Sequence, residues 1–214
     1  MLPKQIVYAA ALTVCISFLP AQDLDKYKKE FEKRVTEFTL DNGMKVTFIP
    51  FGTVPKVTAR LVVRSGNIDE RPGEVFLPDL TGRMMQEGTT SMSAQEIAER
   101  VASMGGSVFI GIGLDQSTVG GEVLSEHAPS VVRVIADMAR NPLFPESEFE
   151  RVRGDMIREN TIAMSSPQTQ AGMTFARAMY GEHPYGTSWV ATEEELRRHP
   201  LGDVRAFHRV TWGA

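Results

Sequence analysis

The sequence predicts an α+β fold in which a mainly antiparallel sheet is flanked by helices. Strand-like runs come first along the chain, helical runs follow, and the same succession is repeated further on. The connections between consecutive strand-like runs have hairpin character. The helical runs carry apolar residues at helical spacing. These observations together favour antiparallel strands that pack their apolar side against helices.

The strands are predicted from alternation and from turn residues. Asp41-Asn42-Gly43 is a strong hairpin signal, because Asn and Gly both accept a positive φ. In the third strand, Val57, Ala59, Leu61 and Val63 alternate with Thr58, Arg60 and Val62. The predicted strands cover residues 35–40, 44–50, 56–65, 107–114 and 118–124.

The helices are predicted from periodicity and from end signals. Leu77, Leu80, Met84 and Met85 fall on one side of the first predicted helix. The next one opens with a capping box at Ser93 and closes at a glycine pair. The predicted helices cover residues 77–87, 93–104, 129–140, 146–164 and 167–180, with short stretches at 193–198 and 203–209. A polar turn is expected at 66–73.

Composition limits the classes of function. The 214 residues are 42% hydrophobic and 23% charged, an ordinary globular balance that permits a sizeable core. The formal net charge is -4, which gives no electrostatic basis for binding nucleic acid or anionic lipid.

The N-terminus has the pattern of a secretory signal. Lys4 precedes an apolar run to Leu19, too short for a comfortable membrane span, and Pro20-Ala21 follows. We therefore expect a signal peptide at residues 1–21, with an uncleaved anchor as the alternative, and a periplasmic or secreted protein without a stable membrane span after cleavage. Residues 22–34 are expected to form a charged leader with helical propensity. Residues 35–214 are expected to form one domain, truncated at its C-terminal end.

Seven short motifs follow one another along the chain. They are Thr39-Leu40-Asp41-Asn42-Gly43 with Met44-Lys45-Val46, Val62-Val63-Arg64-Ser65-Gly66 with Asp69-Glu70, the stretch 80–89, Gly105-Gly106, Asn141-Pro142-Leu143-Phe144, Glu150-Arg151 and His183-Pro184-Tyr185-Gly186. Taken in this order, they resemble the M16 (insulinase/pitrilysin-like) metallopeptidases. The resemblance implies the fold of an M16 half-domain, specifically the N-terminal domain of a non-catalytic bacterial homologue.

Active members of that family carry His-x-x-Glu-His on the helix that here ends at Gly88-Thr89. The two His bind zinc from one helix face, the Glu activates water, and a Glu from a second helix is the third ligand. The matching positions here are Asp79, Gly82 and Arg83, and the resemblance places the third ligand position at Glu159. Arg has no lone pair for a metal and Gly has no side chain, so we expect no zinc, no other cofactor and no catalytic residue.

No other motif replaces the missing one. The four histidines, His127, His183, His199 and His208, are not at metal-ligand spacing, and His183 is expected to have a turn or packing role. The only cysteine, Cys15, lies in the expected signal peptide. Where an active relative holds zinc, we expect an ion pair from Arg83 to both Asp79 and Glu159.

Three functions follow as hypotheses. The first is a non-catalytic M16 subunit or domain that helps to bind peptide substrates alongside a zinc-bearing M16 partner, through an exposed apolar or strand-edge surface. The second is an active zinc-dependent endopeptidase with an atypical site. The third is a free-standing peptide-binding scaffold.

Overall fold

The computed structural model describes residues 28–30, 32–50, 52–187 and 190–213. The chain divides into two compact units, Met1–Val54 and Pro55–Ala214. The expected signal peptide lies outside the described residues, as does most of the leader; residues 28–30 of that leader are helical. None of the helices in the described ranges is both long enough and apolar enough to cross a lipid bilayer.

The first unit contains a β-hairpin. Strands β1 (Thr36–Thr39) and β2 (Lys45–Phe48) pair antiparallel, with Thr39 opposite Lys45. Gly43 has a φ of 86°, and its N–H donates to the carbonyl of Leu40. The Asp-Asn-Gly hairpin prediction is therefore confirmed.

The second unit is built on a three-stranded antiparallel sheet. Strands β3 (Lys56–Val63), β4 (Ser107–Ile112) and β5 (Ser117–Leu124) lie in the order β3-β5-β4. The side chains of β3 and β4 alternate between more and less exposed, as the period of two requires. One face of the sheet therefore points into the core.

The helices of the second unit contribute most of its core. The largest fully buried side chains include Leu80, Met84, Met85 and Leu196. The helices are α1 (Leu77–Met84), α2 (Ala94–Ser103), α3 (Ala128–Arg140), α4 (Glu146–Met164), α5 (Pro167–Tyr180), α6 (Pro184–Thr187), α7 (Glu193–Arg198) and α8 (Leu201–Thr211). The longest helix is α4, which carries Glu159.

The α+β prediction is confirmed, and several element boundaries differ from the predicted ones. The strand predicted over 107–114 ends at Ile112, because the carbonyls of Gly113 and Leu114 accept hydrogen bonds from the N–H groups of Asn67 and Ile68. The helix predicted over 77–87 ends at Met84 and is followed by tight turns that reach Gly88 with a φ of 111°. The short helix α6 was not predicted.

Candidate functional site

Helix α1 carries the three positions that the resemblance singled out. Its apolar side is buried, with Leu80 and Met84 fully inaccessible, and this burial fixes the rotation of the helix about its axis. In consequence Gly82 is buried, Asp79 is half-buried and Arg83 is exposed. The same sequence segment thus presents its three motif positions to three different surroundings.

Arg83 contacts Glu159 on the neighbouring helix α4. The guanidinium Nη2 lies 2.5 Å from Glu159 Oε2, and about half of each side chain is exposed, 50% and 54% respectively. The structure therefore brings together Arg83 and Glu159, as the sequence predicted. The contact links α1 to α4 across 76 positions of the chain.

Asp79 does not join this pair, and that part of the prediction was wrong. Its Oδ2 accepts a hydrogen bond of 2.6 Å from Asn67 Nδ2, and no ion pair forms between Asp79 and Arg83. Asn67 is buried in the 3-10 turn Asn67–Asp69 that follows β3, and the same amide nitrogen donates to Glu70 at 2.8 Å. The partner of Asp79 is therefore the buried side-chain amide of Asn67, and not the guanidinium of Arg83.

Burial governs the ionisation of Asp79. The pKa of this carboxyl is raised from 3.8 to about 6, mainly because burial disfavours the charged form. The charge of Glu70 also raises the pKa, while the hydrogen bond from Asn67 and the charge of Arg83 lower it in part. Sequence reasoning did not single out Asn67. No local signal could have found it, because its role depends on where the turn lies relative to α1.

Gly82 is held against strand β4. A Cβ atom added at Gly82 would lie 2.6 Å from Ile112 Cγ1, 2.8 Å from Ile112 Cδ1 and 3.5 Å from Ile110 Cγ2. Because Gly82 has no side chain, α1 and β4 can pack closely together at this point. A larger residue at this position would have to displace Ile112.

The residues at this site do not fit a catalytic zinc ion. Such a site needs three good ligands and an open position. Of the four motif positions only Asp79 and Glu159 carry donors suited to a metal, and Glu159 is engaged by the Arg83 cation. Across the described ranges, no group of three or more His, Cys, Asp and Glu side chains is arranged to hold a metal.

The histidines have structural contacts. His199 Nε2 lies 2.8 Å from the carbonyl of Val75, and His208 Nε2 lies 2.9 Å from the carbonyl of Ala139. His183 Nδ1 accepts a hydrogen bond of 3.2 Å from the N–H of Tyr185, which agrees with its expected turn role. His127 is 3.5 Å from Glu126 at the start of α3.

The chain has an antiparallel sheet packed against helices and an altered metallopeptidase motif on α1. These features place it in the class of metallopeptidase-like domains. The family model for the insulinases (peptidase family M16) matches residues 51–193, and the chain belongs to this family. The expected resemblance to an M16 N-terminal domain is therefore confirmed.

Individual relatives agree with this assignment. An uncharacterised zinc protease of Bacillus subtilis is 27% identical over 173 residues, which are 81% of this chain and 42% of the relative. The alpha subunit of the mitochondrial-processing peptidase of Solanum tuberosum is 27% identical over 175 residues, 82% of this chain and 34% of that protein. The chain thus spans less than half the length of these relatives.

A solved structure described as a peptidase M16 inactive domain, from Pseudomonas fluorescens, matches with a TM-score of 0.74 at 22% identity. The match covers 81% of this chain and 42% of that one. This likeness shows the shared fold.

Proposed function

We propose that the chain is a non-catalytic M16 module that helps to bind peptides alongside a zinc-bearing M16 partner. The observation that carries the proposal is the direct contact between Arg83 and Glu159. A permanent cation stands at a position where an active relative has a zinc-binding His, and it already neutralises the carboxylate that would be the third ligand. One structural neighbour is described as an inactive domain, which supports the proposal that this chain is non-catalytic.

Peptide binding is supported by the edge of the sheet. Strand β4 pairs with β5 on one side and has no second partner strand among the described residues. An extended peptide can add to such an edge through main-chain hydrogen bonds. Because Ile110 and Ile112 of β4 pack beside Gly82, a peptide added there would lie close to α1.

Assembly with a partner is supported by an apolar surface on helix α5, which we call the α5 stripe. It consists of Ala171, Phe175, Ala178 and Met179, all exposed and spaced so that they share one side of the helix. Phe175 is 67% exposed and Met179 62%. Apolar surface of this kind marks interaction sites. The relative from Solanum tuberosum is named as a subunit, which supports assembly of this chain with a partner.

The first experiment measures zinc and peptidase activity in the purified chain. We expect zinc well below one ion per chain and no cleavage of a mixed peptide library. Zinc near one per chain with chelator-sensitive cleavage would instead establish the atypical endopeptidase. The proposal includes a periplasmic or secreted location, as the N-terminal sequence predicts, and cell fractionation tests it.

The second experiment adds an M16 protein from the same organism that retains His-x-x-Glu-His. We expect the two chains to co-purify, and we expect the mixture to bind or cleave peptides better than the zinc-bearing protein alone. Peptide binding by this chain without any association with that protein would favour the free-standing scaffold.

A further inference from the structure

The face of the sheet opposite the core has a distinctive surface. Along β3 the side chains on this face are exposed, among them Lys56, Arg60 and Val62. The other face is covered by α3, since a Cβ at Gly121 would lie 2.7 Å from Val131 Cγ2. We call the uncovered side the open face.

The aromatic ring of Phe109 lies over the middle of the open face. Arg60, Gly120 and Phe109 stand in one row, because Gly120 is the register partner of both other residues. The ring of Phe109 covers Gly120, where an added Cβ would lie 2.8 Å from Phe109 Cε2. Beyond it the Arg60 Cζ lies 5.6 Å from the ring centroid. Glycine in the central strand thus allows an aromatic ring and a cation to meet on the surface.

The charges on this face are not balanced. Lys56 is paired with Glu122 at 2.7 Å, which lowers the pKa of that carboxyl. Arg60 on the same strand and Arg64, one residue after its end, are exposed, and neither forms an ion pair with any of the residues that the structure describes. Two cations therefore remain available beside exposed apolar surface at Phe109 and Val62, which are 38% and 47% exposed.

We propose that the open face binds an acidic, extended polypeptide segment, with a carboxylate on Arg60 and an apolar or aromatic side chain on Phe109. This inference rests on the proposed peptide-binding function and names the class of peptide. The fork of Arg suits a carboxylate, and the ring offers a flat apolar contact beside it. Arg64 lies in the bend directly after β3, so its Cα is at most about 14 Å from that of Arg60. Two acidic residues four positions apart in an extended peptide can span that distance.

The test uses a fluorescein-labelled peptide with two glutamates four positions apart and a tyrosine between them. A matched peptide has glutamine at both glutamate positions. Fluorescence anisotropy at low and high salt gives the dissociation constants for the parent chain. We expect the acidic peptide to bind about tenfold more tightly than the glutamine peptide, and we expect salt to reduce the difference.

Variants assign the effect to the open face. Arg60→Gln and Phe109→Ala should each weaken binding of the acidic peptide, Arg60→Gln by about tenfold. Arg133→Gln on α3, which covers the opposite face, is the matched control and should change nothing. Circular dichroism verifies that each variant is folded, and Phe109→Leu keeps an apolar side chain should the alanine variant unfold.

Four results would overturn the inference. If both peptides bind equally well, the acidic preference is wrong while peptide binding stands. If Arg60→Gln and Arg133→Gln weaken binding alike, the site lies elsewhere. If a single-stranded oligonucleotide competes as well as the acidic peptide does, the face is a general anion site. A parent chain that binds neither peptide would overturn this inference but not the proposed function, in which a peptide pairs with the β4 edge and the experiment with the zinc-bearing partner is the test.

Discussion

At the scale of single residues, Asp79 has surroundings that favour its protonated form. Its carboxyl is half-buried and lies near the charge of Glu70, and these two effects outweigh the hydrogen bond from Asn67, which favours the charged form. Because the pKa is raised to about 6, the folded chain holds this proton more tightly than the unfolded chain does. Stability from this group is therefore present at low pH and falls as the pH rises from about 4 through about 6.

Asp79→Asn should remove this pH dependence. The amide oxygen can still accept the hydrogen bond from Asn67, while no charge has to be buried at neutral pH. We expect the variant to exceed the parent in unfolding free energy by about 2 kcal/mol at pH 7.5 and by much less at pH 4. Urea denaturation at both pH values measures this. A variant that is equally or less stable than the parent at pH 7.5 would show that Asp79 is stabilised as a carboxylate.

The ion pair of Arg83 with Glu159 is also a residue-scale feature, and its exposure limits its strength. With about half of each side chain in water, at 50% and 54%, solvent screens the attraction. A double-mutant cycle with Arg83→Gln and Glu159→Gln should give a coupling energy of about 0.5 kcal/mol that decreases with added salt. A coupling of several kcal/mol would mean that the pair is far better shielded than this geometry allows.

At the scale of elements, the contact of α1 with β4 depends on the absence of a side chain at Gly82. Alanine normally stabilises a helix relative to glycine by about 1 kcal/mol. Here its Cβ would meet Ile112 at 2.6 Å, and overpacking costs about 1–3 kcal/mol. Gly82→Ala should therefore lower the unfolding free energy by about 1 kcal/mol, and Ile112→Ala in the same chain should relieve the clash.

The matched control for Gly82 is Gly154 on α4. A Cβ there would meet only Arg158 Nη1, at 4.0 Å, so Gly154→Ala should stabilise the chain by about 0.5–1 kcal/mol. Thermal and chemical unfolding of both variants measure the two effects. If Gly82→Ala stabilised the chain as Gly154→Ala does, Ile112 would be free to move aside.

The same contact complicates any repair of the zinc motif. Asp79→His, Gly82→Glu and Arg83→His, with Glu159 as third ligand, make the smallest repair. The glutamate must share space with Ile112, and the supporting partners of a working site are expected to be missing as well. We expect the triple variant to bind zinc measurably but to cleave peptides poorly, and a smaller residue at Ile112 to improve its folding. No gain in zinc affinity over the parent would mean that Glu159 is not the third ligand position.

At the scale of the whole molecule, the α5 stripe should control association. Phe175 and Met179 are one turn apart on α5 and mostly exposed, so burying them against another chain removes apolar surface from water. Gel filtration with light scattering at rising concentration should show self-association, or binding to the M16 partner. Phe175→Glu with Met179→Glu should weaken it at least tenfold.

The control for the α5 stripe is Val210→Glu on α8, a lone valine that is 78% exposed. It adds charge at an exposed apolar position outside the stripe, so it should leave association unchanged. A parent chain that stays monomeric at all concentrations and does not bind the partner would count against the stripe as an interface.

The sequence by itself determined the local structure and the chemistry of the altered motif. The hairpin at Gly43, the capping box at Ser93 and the full extent of α4 depend on short-range hydrogen bonding and periodicity, which a linear sequence contains. The identities of Gly82 and Arg83 also needed no coordinates, since a residue without a suitable donor atom cannot bind zinc in any fold.

Only the tertiary structure decided which groups these residues meet. The spacing of Asp79 and Arg83 permits an ion pair on one helix face. The rotation of α1 instead turned Asp79 towards Asn67 and left Arg83 with Glu159. The row of Arg60, Gly120 and Phe109 likewise exists only through strand pairing across the sheet. Local propensity determines which stretches become helices and strands, whereas contacts between distant segments depend on how the core packs, and that packing is settled by the whole chain at once.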